Sequence, residues 1–283
     1  MRFTNCRALS AFSLLFAFAF SGAAQAQGET CRSDDARFTA RAPALSQAGR
    51  REWSWEGRES LTIQGPLQVQ YEAGGTPRII ATGDPAVVEM IEVHGGIVRM
   101  RPNASLENRQ LSVVIRGMQL DKIALMGSGK LDLARLQKRD FVLCIQGSGT
   151  VDAFGQVSSL KLAIDGSGKA NLDRLTINEA SIMVNGSGAA YLGAVSRHAS
   201  VRVNGSGSAT IGPADDVDIN VTGAGSARLT SMPRTSNFQV TGPGGIVLID
   251  ADGKTTQLAR DRRREADRGR DRPLVVAPRT PRY

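Results

Sequence analysis

From Ile123 to Leu248 the apolar residues fall two apart, in short runs that stop and restart around glycine. Ile123 and Leu125 precede one such glycine, Leu131 and Leu133 follow it, and the intervening positions are mostly polar. A period of two sends alternate side chains to opposite faces, so each run predicts a short β-strand with one buried face. The interruptions are periodic too. Gly-x-Gly recurs at Gly127, Gly147, Gly166, Gly186, Gly205, Gly223 and Gly242, at spacings of 20, 19, 20, 19, 18 and 19 residues. The middle residue is serine five times, then Ala224 and Pro243.

Aligned on the first glycine, the copies form columns. Two before it stand Leu125, Ile145, Ile164, Val184, Val203, Val221 and Val240; four before it stand Ile123, Leu143, Leu162, Ile182, Val201, Ile219 and Phe238. Four after it the column runs Leu131, Val151, Ala170, Ala190, Ala209, Ala227 and Ile246; six after it, Leu133, Ala153, Leu172, Leu192, Ile211, Leu229 and Leu248. A further apolar residue about nine after it (Leu136, Leu175, Val195, Ala214, Met232, and Val157 one place later) predicts a third inward contact per copy. One copy cannot bury its inner face alone, whereas stacked copies form a continuous apolar column. The expected fold is all-β: a single-domain parallel β-solenoid with rungs of about 19 residues.

The paired glycines then have a structural role, one corner per rung, through positive φ or close approach of neighbouring backbone. The pairs are Gly127 and Gly129, Gly147 and Gly149, Gly166 and Gly168, Gly186 and Gly188, Gly205 and Gly207, Gly223 and Gly225, and Gly242 and Gly244. Just before them from the second copy on stand Gln146, Asp165, Asn185, Asn204, Thr222 and Thr241, which stacking would turn into a polar ladder. Upstream, Leu61, Ile63, Leu67 and Val69 alternate around Gly65-Pro66, and Val87–Pro102 makes another strand–glycine–strand unit. Both read as irregular rungs of the same solenoid.

Over Arg51–Asp250 the chain resembles the GIN-domain family, described as the head domain of auto-transporter adhesins. The resemblance is carried by "LTIQGPLQVQYEAGGTPRIIATGD", by "IEVHGGIVRM" and by the series "LMGSGKLDL", "IQGSGTVDA", "IDGSGKANL", "VNGSGAAYL" and "VNGSGSATI". It implies a right-handed parallel β-helix, exported, with no established catalytic activity. No translocator segment is recognisable in the 283 residues, so an auto-transporter role is not expected of this chain.

The flanks carry the address and the charge. Arg2 and Arg7, the apolar run Ala8–Phe20 and a small-x-small site ending at Ala26 read as a secretory signal peptide, residues 1–26, with Gln27 as the mature start. Residues 27–50 form an N-terminal extension, 51–250 the β-helix and 251–283 a charged tail expected to be disordered. The formal net charge of +8, less the two signal arginines, leaves +6; the tail holds ten Lys or Arg against five Asp or Glu, so the body carries only +1. A basic balance confined to a mixed-sign tail suits contact with an anionic surface, not a nucleic-acid site. No later segment is apolar enough over a sufficient length to cross a membrane.

Candidate chemistry is thin. "GSGK" at Gly127–Lys130 and Gly166–Lys169 resembles a phosphate loop, yet Ala124 and Ala163 stand where its first glycine belongs, and Leu131 and Ala170 follow the lysines. The dinucleotide fingerprint fails at Asp132 and at Arg228. Asp132 and Asp152 share a column and could form an acid–base pair or a calcium site, but the column continues as Asn171, Tyr191, Thr210 and Arg228, an ordinary wet face. His94 and His198 lie on separate turns without a third ligand. No catalytic, cofactor or metal residue is therefore assigned.

Cys144 lies between inward Leu143 and Ile145, so it faces outward, in a column (Ala124, Cys144, Ala163, Met183) that is unusually apolar. The extension, or the tryptophans Trp53 and Trp55, is expected to cover this patch, with a candidate disulfide between Cys31 and Cys144 as an exported protein permits. The expected function is an exported, non-catalytic structural, adhesion or interaction module of the bacterial cell envelope, in periplasm or at the cell surface. Its partner would be an envelope protein or a glycan, and a homo-oligomer is open to it through its solenoid ends. The alternative is a carbohydrate-active β-helix enzyme of lyase or hydrolase type.

Overall fold

The computed structural model describes residues 40–55, 59–101, 110–117, 119–250 and 252–261. The expected signal peptide, the first part of the extension and the greater part of the tail lie outside them. Before the regular array come β1 (Leu45–Gln47), β2 (Arg50–Ser54), β3 (Ser60–Gln64), β4 (Gln68–Gly83), a single helical turn α1 (Pro85–Val88), β5 (Ile91–His94), β6 (Ile97–Met100) and β7 (Leu111–Gly117). The array runs through β8 (Lys122–Gly127), β9 (Lys130–Gly147), β10 (Thr150–Gly166) and β11 (Lys169–Gly186). It continues through β12 (Ala189–Leu192), β13 (Val195–Gly205), β14 (Ser208–Ile211), β15 (Ala214–Gly223), β16 (Ser226–Leu229), β17 (Thr235–Thr241) and β18 (Gly245–Ile249), and β19 (Thr255–Arg260) closes the described chain.

The rungs are parallel and their register is that of the sequence columns. Ile123 pairs with Leu143, Leu143 with Leu162, Leu162 with Ile182, Ile182 with Val201, Val201 with Ile219 and Ile219 with Phe238. The column after the corner is equally regular, from Leu131 through Val151, Ala170, Ala190, Ala209 and Ala227 to Ile246. These side chains stack into one continuous core, and among the described residues no polar or charged side chain is fully buried. Burial of that apolar area is the main stabilising term, and parallel hydrogen bonding between rungs satisfies the backbone it carries inward.

Each corner uses its two glycines for different reasons. Gly147 has φ of 107°, a region closed to most side chains. Gly149 has no positive φ, but a Cβ there would stand 2.7 Å from Leu125 Cδ2 and 3.0 Å from the Gly129 oxygen. Between them the ladder continues around the bend, with Ser148 N donating to Gly127 O at 3.0 Å and Thr150 N to Gly129 O at 2.9 Å.

Four details differ from the sequence reading. The third inward contact is two columns, not one: Val157 pairs with Ile177, Ile177 with Val195 and Val195 with Ala214, whereas Leu136 and Leu175 both pair with Gly155. A register shift between Ala153 and Gly155 displaces that rung, and Met232 at the far end is 60% exposed. Second, the first three rungs of the array do not break into two strands, because the chain bends there without leaving the ladder, and β9, β10 and β11 each run 17 or 18 residues.

Third, the N-terminal part is only half solenoid. Leu61 and Ile63 do stack on Ile123 and Leu125, and Val69 on Leu131. But β2 and β7 both pair antiparallel with β4, and within Val87–Pro102 the strands β5 and β6 form an antiparallel hairpin of which β6 alone joins the parallel ladder, on β3. Gly95 and Gly96, both at positive φ, make a tight hairpin turn there instead of a rung corner. Fourth, the fold does not stop at Asp250: β19 pairs antiparallel with β18 and covers the edge of the last rung.

Candidate functional site

With the apolar residues stacked inside, the chemistry lies on the outward columns. Asp132, Asp152, Asn171, Tyr191, Thr210 and Arg228 stand in register on successive rungs. Lys130 Nζ bridges the two carboxylates, 3.1 Å from Asp132 Oδ1 and 3.2 Å from Asp152 Oδ2. Asn171 Nδ2 donates to Asp152 Oδ1 at 2.5 Å, and Lys169 Nζ sits 4.9 Å from the centre of the Tyr191 ring. Partial burial pushes the Asp152 carboxyl up, but hydrogen bonds from Asn171 and Lys130 outweigh it and hold the group below its ordinary range. The hydrogen bond to Asp132, then that to Asp152, raises the Lys130 ammonium. A glycosidase general acid needs the opposite, a carboxyl kept protonated near neutrality. This pair is an ion-paired surface ladder.

The column before the corner behaves alike. Gln146, Asp165, Asn185, Asn204, Thr222 and Thr241 are stacked rung on rung. Asn185 Nδ2 donates to Asp165 Oδ1 at 2.7 Å and Asn204 Nδ2 to Asn185 Oδ1 at 2.9 Å. Six of the first glycines follow this ladder and Gly127 follows Met126, and all seven have φ between 103° and 122°. The second glycines (Gly129, Gly149, Gly168, Gly188, Gly207, Gly225 and Gly244) each sit where a Cβ would come within 3 Å of the preceding rung. Sequence reading missed a second glycine corner, Gly193 and Gly212, where the later rungs divide into two strands; its signal was the same 19-residue interval.

The histidines are far apart in use. His94 ends β5, while on β13 the His198 Nδ1 lies 3.0 Å from Asp216 Oδ2 and its Nε2 3.9 Å from Asp218 Oδ2. Among the described residues no three His, Cys, Asp or Glu side chains are arranged to hold a metal ion. An open cleft of about 460 Å³ lies at the last corner, lined by Gly225, Pro243, Gln257, Arg260 and Asp261 among others. Among its described lining residues Asp261 carries the one carboxylate, which accepts from Gly242 N at 2.9 Å.

Trp53 and Trp55 do not make the cover expected of them. Trp53 stands opposite Ile79 within the core, and the Trp55 ring lies over Gly117, where a Cβ would be 2.7 Å from it. Cys144 is fully buried and disulfide-bonded, and Cys31 lies outside the described residues. No described helix is long and apolar enough to cross a membrane.

Comparison with known proteins agrees with this architecture. No curated protein shows a significant match. Among solved structures, a "putative adhesin" from Bacteroides fragilis superposes with a TM-score of 0.60 at 18% identity, covering 71% of this chain and 96% of the other. A "putative lipid binding protein" and a "putative adhesin" from Parabacteroides distasonis give TM-scores of 0.58 and 0.56 at 18% and 16% identity, with the same coverage. At such identities the likeness speaks for the fold. The family profile described as "Putative auto-transporter adhesin, head GIN domain" matches residues 59–233, and the chain belongs to that family.

Proposed function

We propose that this protein is an exported, non-catalytic β-solenoid that works as an adhesion or interaction module of the bacterial cell envelope. The observation that carries the reading is the pair of polar ladders, Asp132–Arg228 and Gln146–Thr241, repeated rung by rung. Rungs about 4.8 Å apart present amide, carboxylate and hydroxyl groups at a fixed interval, which suits a repetitive polymer or an extended protein surface. The family's adhesin description points the same way. Asp152, held ionised by Lys130 and Asn171, is poorly suited to proton transfer.

The test pairs a glycan array with capture from envelope extract, using wild type and the face variants Tyr191→Ala and Asn185→Ala. Loss of the captured partner by a face variant that keeps its melting temperature supports the reading. Polysaccharide cleavage by the purified protein, abolished by Asp152→Asn, would overturn it in favour of a carbohydrate-active enzyme. The Arg-rich tail is proposed to contact an anionic surface. A truncation that tests this removes only residues 262–283, because β19 belongs to the fold.

A further inference from the structure

At the second corner the first three rungs are built differently from the later ones. The later rungs turn there on Gly193 and Gly212, where a Cβ would stand 2.4 Å from a backbone oxygen of the preceding rung. In the first three the corner carries Arg135, Phe154 and Arg174, all exposed. They fall in line: Phe154 pairs with Arg174, and Gly155, the next residue, pairs with Leu136, the residue after Arg135. Rungs lie about 4.8 Å apart, so the two arginines stand about 10 Å from each other with the phenylalanine between them.

The backbone is distorted to present them. Among the described residues Arg135 is the one non-glycine with positive φ, at 56°. Gln119 holds it there: its Nε2 donates to Arg135 O at 3.4 Å, and its Oε1 accepts from Gln137 N at 3.3 Å. On the next rung the ladder slips between Ala153 and Gly155. Gly155, at φ of 138°, approaches its neighbour so closely that a Cβ would be 2.0 Å from Leu136 O. Such distortions re-aim side chains and persist only where the surroundings impose them.

The three side chains remain available. Among the described residues neither arginine has an acidic partner, and exposed Asp173 pairs with neither. The Arg174 guanidinium lies 5.6 Å from the centre of the Phe154 ring. That ring is 38% exposed: it lies along the stripe without standing out of it, which suits a ligand laid on the surface and not insertion into a bilayer. An aromatic ring between guanidinium groups matches a sugar ring between carboxylates. Sugar C–H groups pack on the phenyl ring, and each guanidinium takes a carboxylate through paired N–H donors. Sugar units of an extended acidic polysaccharide repeat at close to the rung spacing, so every second carboxylate meets an arginine.

We propose that Arg135, Phe154 and Arg174 form a binding stripe for an acidic polysaccharide, a chain of uronic acid units laid across the first three rungs. The proposal rests on reading the protein as a non-catalytic binding module. It adds a site at the second corner, outside the two polar ladders.

The test titrates the exported chain with polygalacturonate, against uncharged dextran and phosphatidylglycerol vesicles. Wild type should bind polygalacturonate, lose most of that affinity in high salt and ignore dextran. Arg174→Gln and Phe154→Ser should each weaken binding about three- to tenfold at unchanged melting temperature. Arg135→Gly relieves the positive φ, so it should melt no lower than wild type and still bind about three- to tenfold more weakly. An arginine that served only the fold would leave the affinity unchanged. No binding to polygalacturonate, or binding that all three variants keep, would overturn the stripe. Binding to vesicles alone, lost in Phe154→Ser, would overturn it in favour of a lipid surface. Polygalacturonate bound through the stripe and then cleaved would uphold the stripe and remove the non-catalytic reading. A partner captured through the ladders while polygalacturonate is ignored would do the opposite.

Discussion

A Cβ placed on Gly147 would lie 2.8 Å from the carbonyl oxygen of Gly127, the corner glycine one rung before it. Real Cβ atoms do not approach backbone that closely, and Gly147 also sits at φ of 107°. Gly147→Ala therefore combines backbone strain with a contact that no side-chain rotation relieves. The expected loss is about 1–3 kcal/mol, a fall in melting temperature of roughly 2–10 °C. Ser148→Ala, at the exposed middle of the same corner, should stay within about 0.5 kcal/mol of wild type. Thermal melts of the two variants decide it; equal melts would remove the corner argument.

Phe141 is 1% exposed and fills the core beside Leu160 of the next rung, its partner in register. Phe141→Ala leaves a cavity between rigid rungs that cannot close without breaking the ladder. A loss of about 3–5 kcal/mol is expected in denaturant unfolding. Phe141→Leu, which keeps most of the volume, should cost clearly less.

Burial raises the Tyr71 hydroxyl to a pKa of about 12. An unfolded tyrosine titrates near 10, so above that pH the unfolded chain releases a proton that the folded chain retains. This stabilisation is complete below about pH 10 and is lost as pH rises toward 12, on the order of 2–3 kcal/mol in all. Melts between pH 8 and 12 should fall more steeply for wild type than for Tyr71→Phe, and parallel curves would refute the assignment.

Asp152 has the opposite sign. Its carboxyl lies below the ordinary value, so its contribution is present at neutral pH and disappears as pH falls through the folded-state value. The group is part of a surface ladder, and the contribution is about 0–1 kcal/mol. Asp152→Asn should melt slightly below wild type at pH 7 and merge with it in acid, at low ionic strength. A difference that persists unchanged at pH 2 would mean the aspartate acts through packing.

The array was legible because its determinants are local. Ile123, Leu125, Leu131 and Leu133 declare a strand–corner–strand by themselves, and repetition turns that unit into a register that the pairing follows residue for residue. Val87–Pro102 was only half legible for the complementary reason: Ile91, Val93, Val98 and Met100 alternate like a rung, but alternation does not say that β6 runs parallel to β3 while β5 turns back antiparallel to β6. Polar composition likewise hid β19, whose role as an edge cover depends on β18 and not on its own sequence.

The sequence by itself determined the strands, the corners and the apolar columns, since these follow from side-chain alternation and glycine conformation within one rung. Only the tertiary structure decided which neighbour each strand took, and so the antiparallel ends. It also decided that Lys130 ties Asp132 to Asp152 and that outward Cys144 is buried. Those are contacts between residues up to a rung or more apart in the chain, and their free energies depend on distance and solvent exclusion that no local pattern encodes.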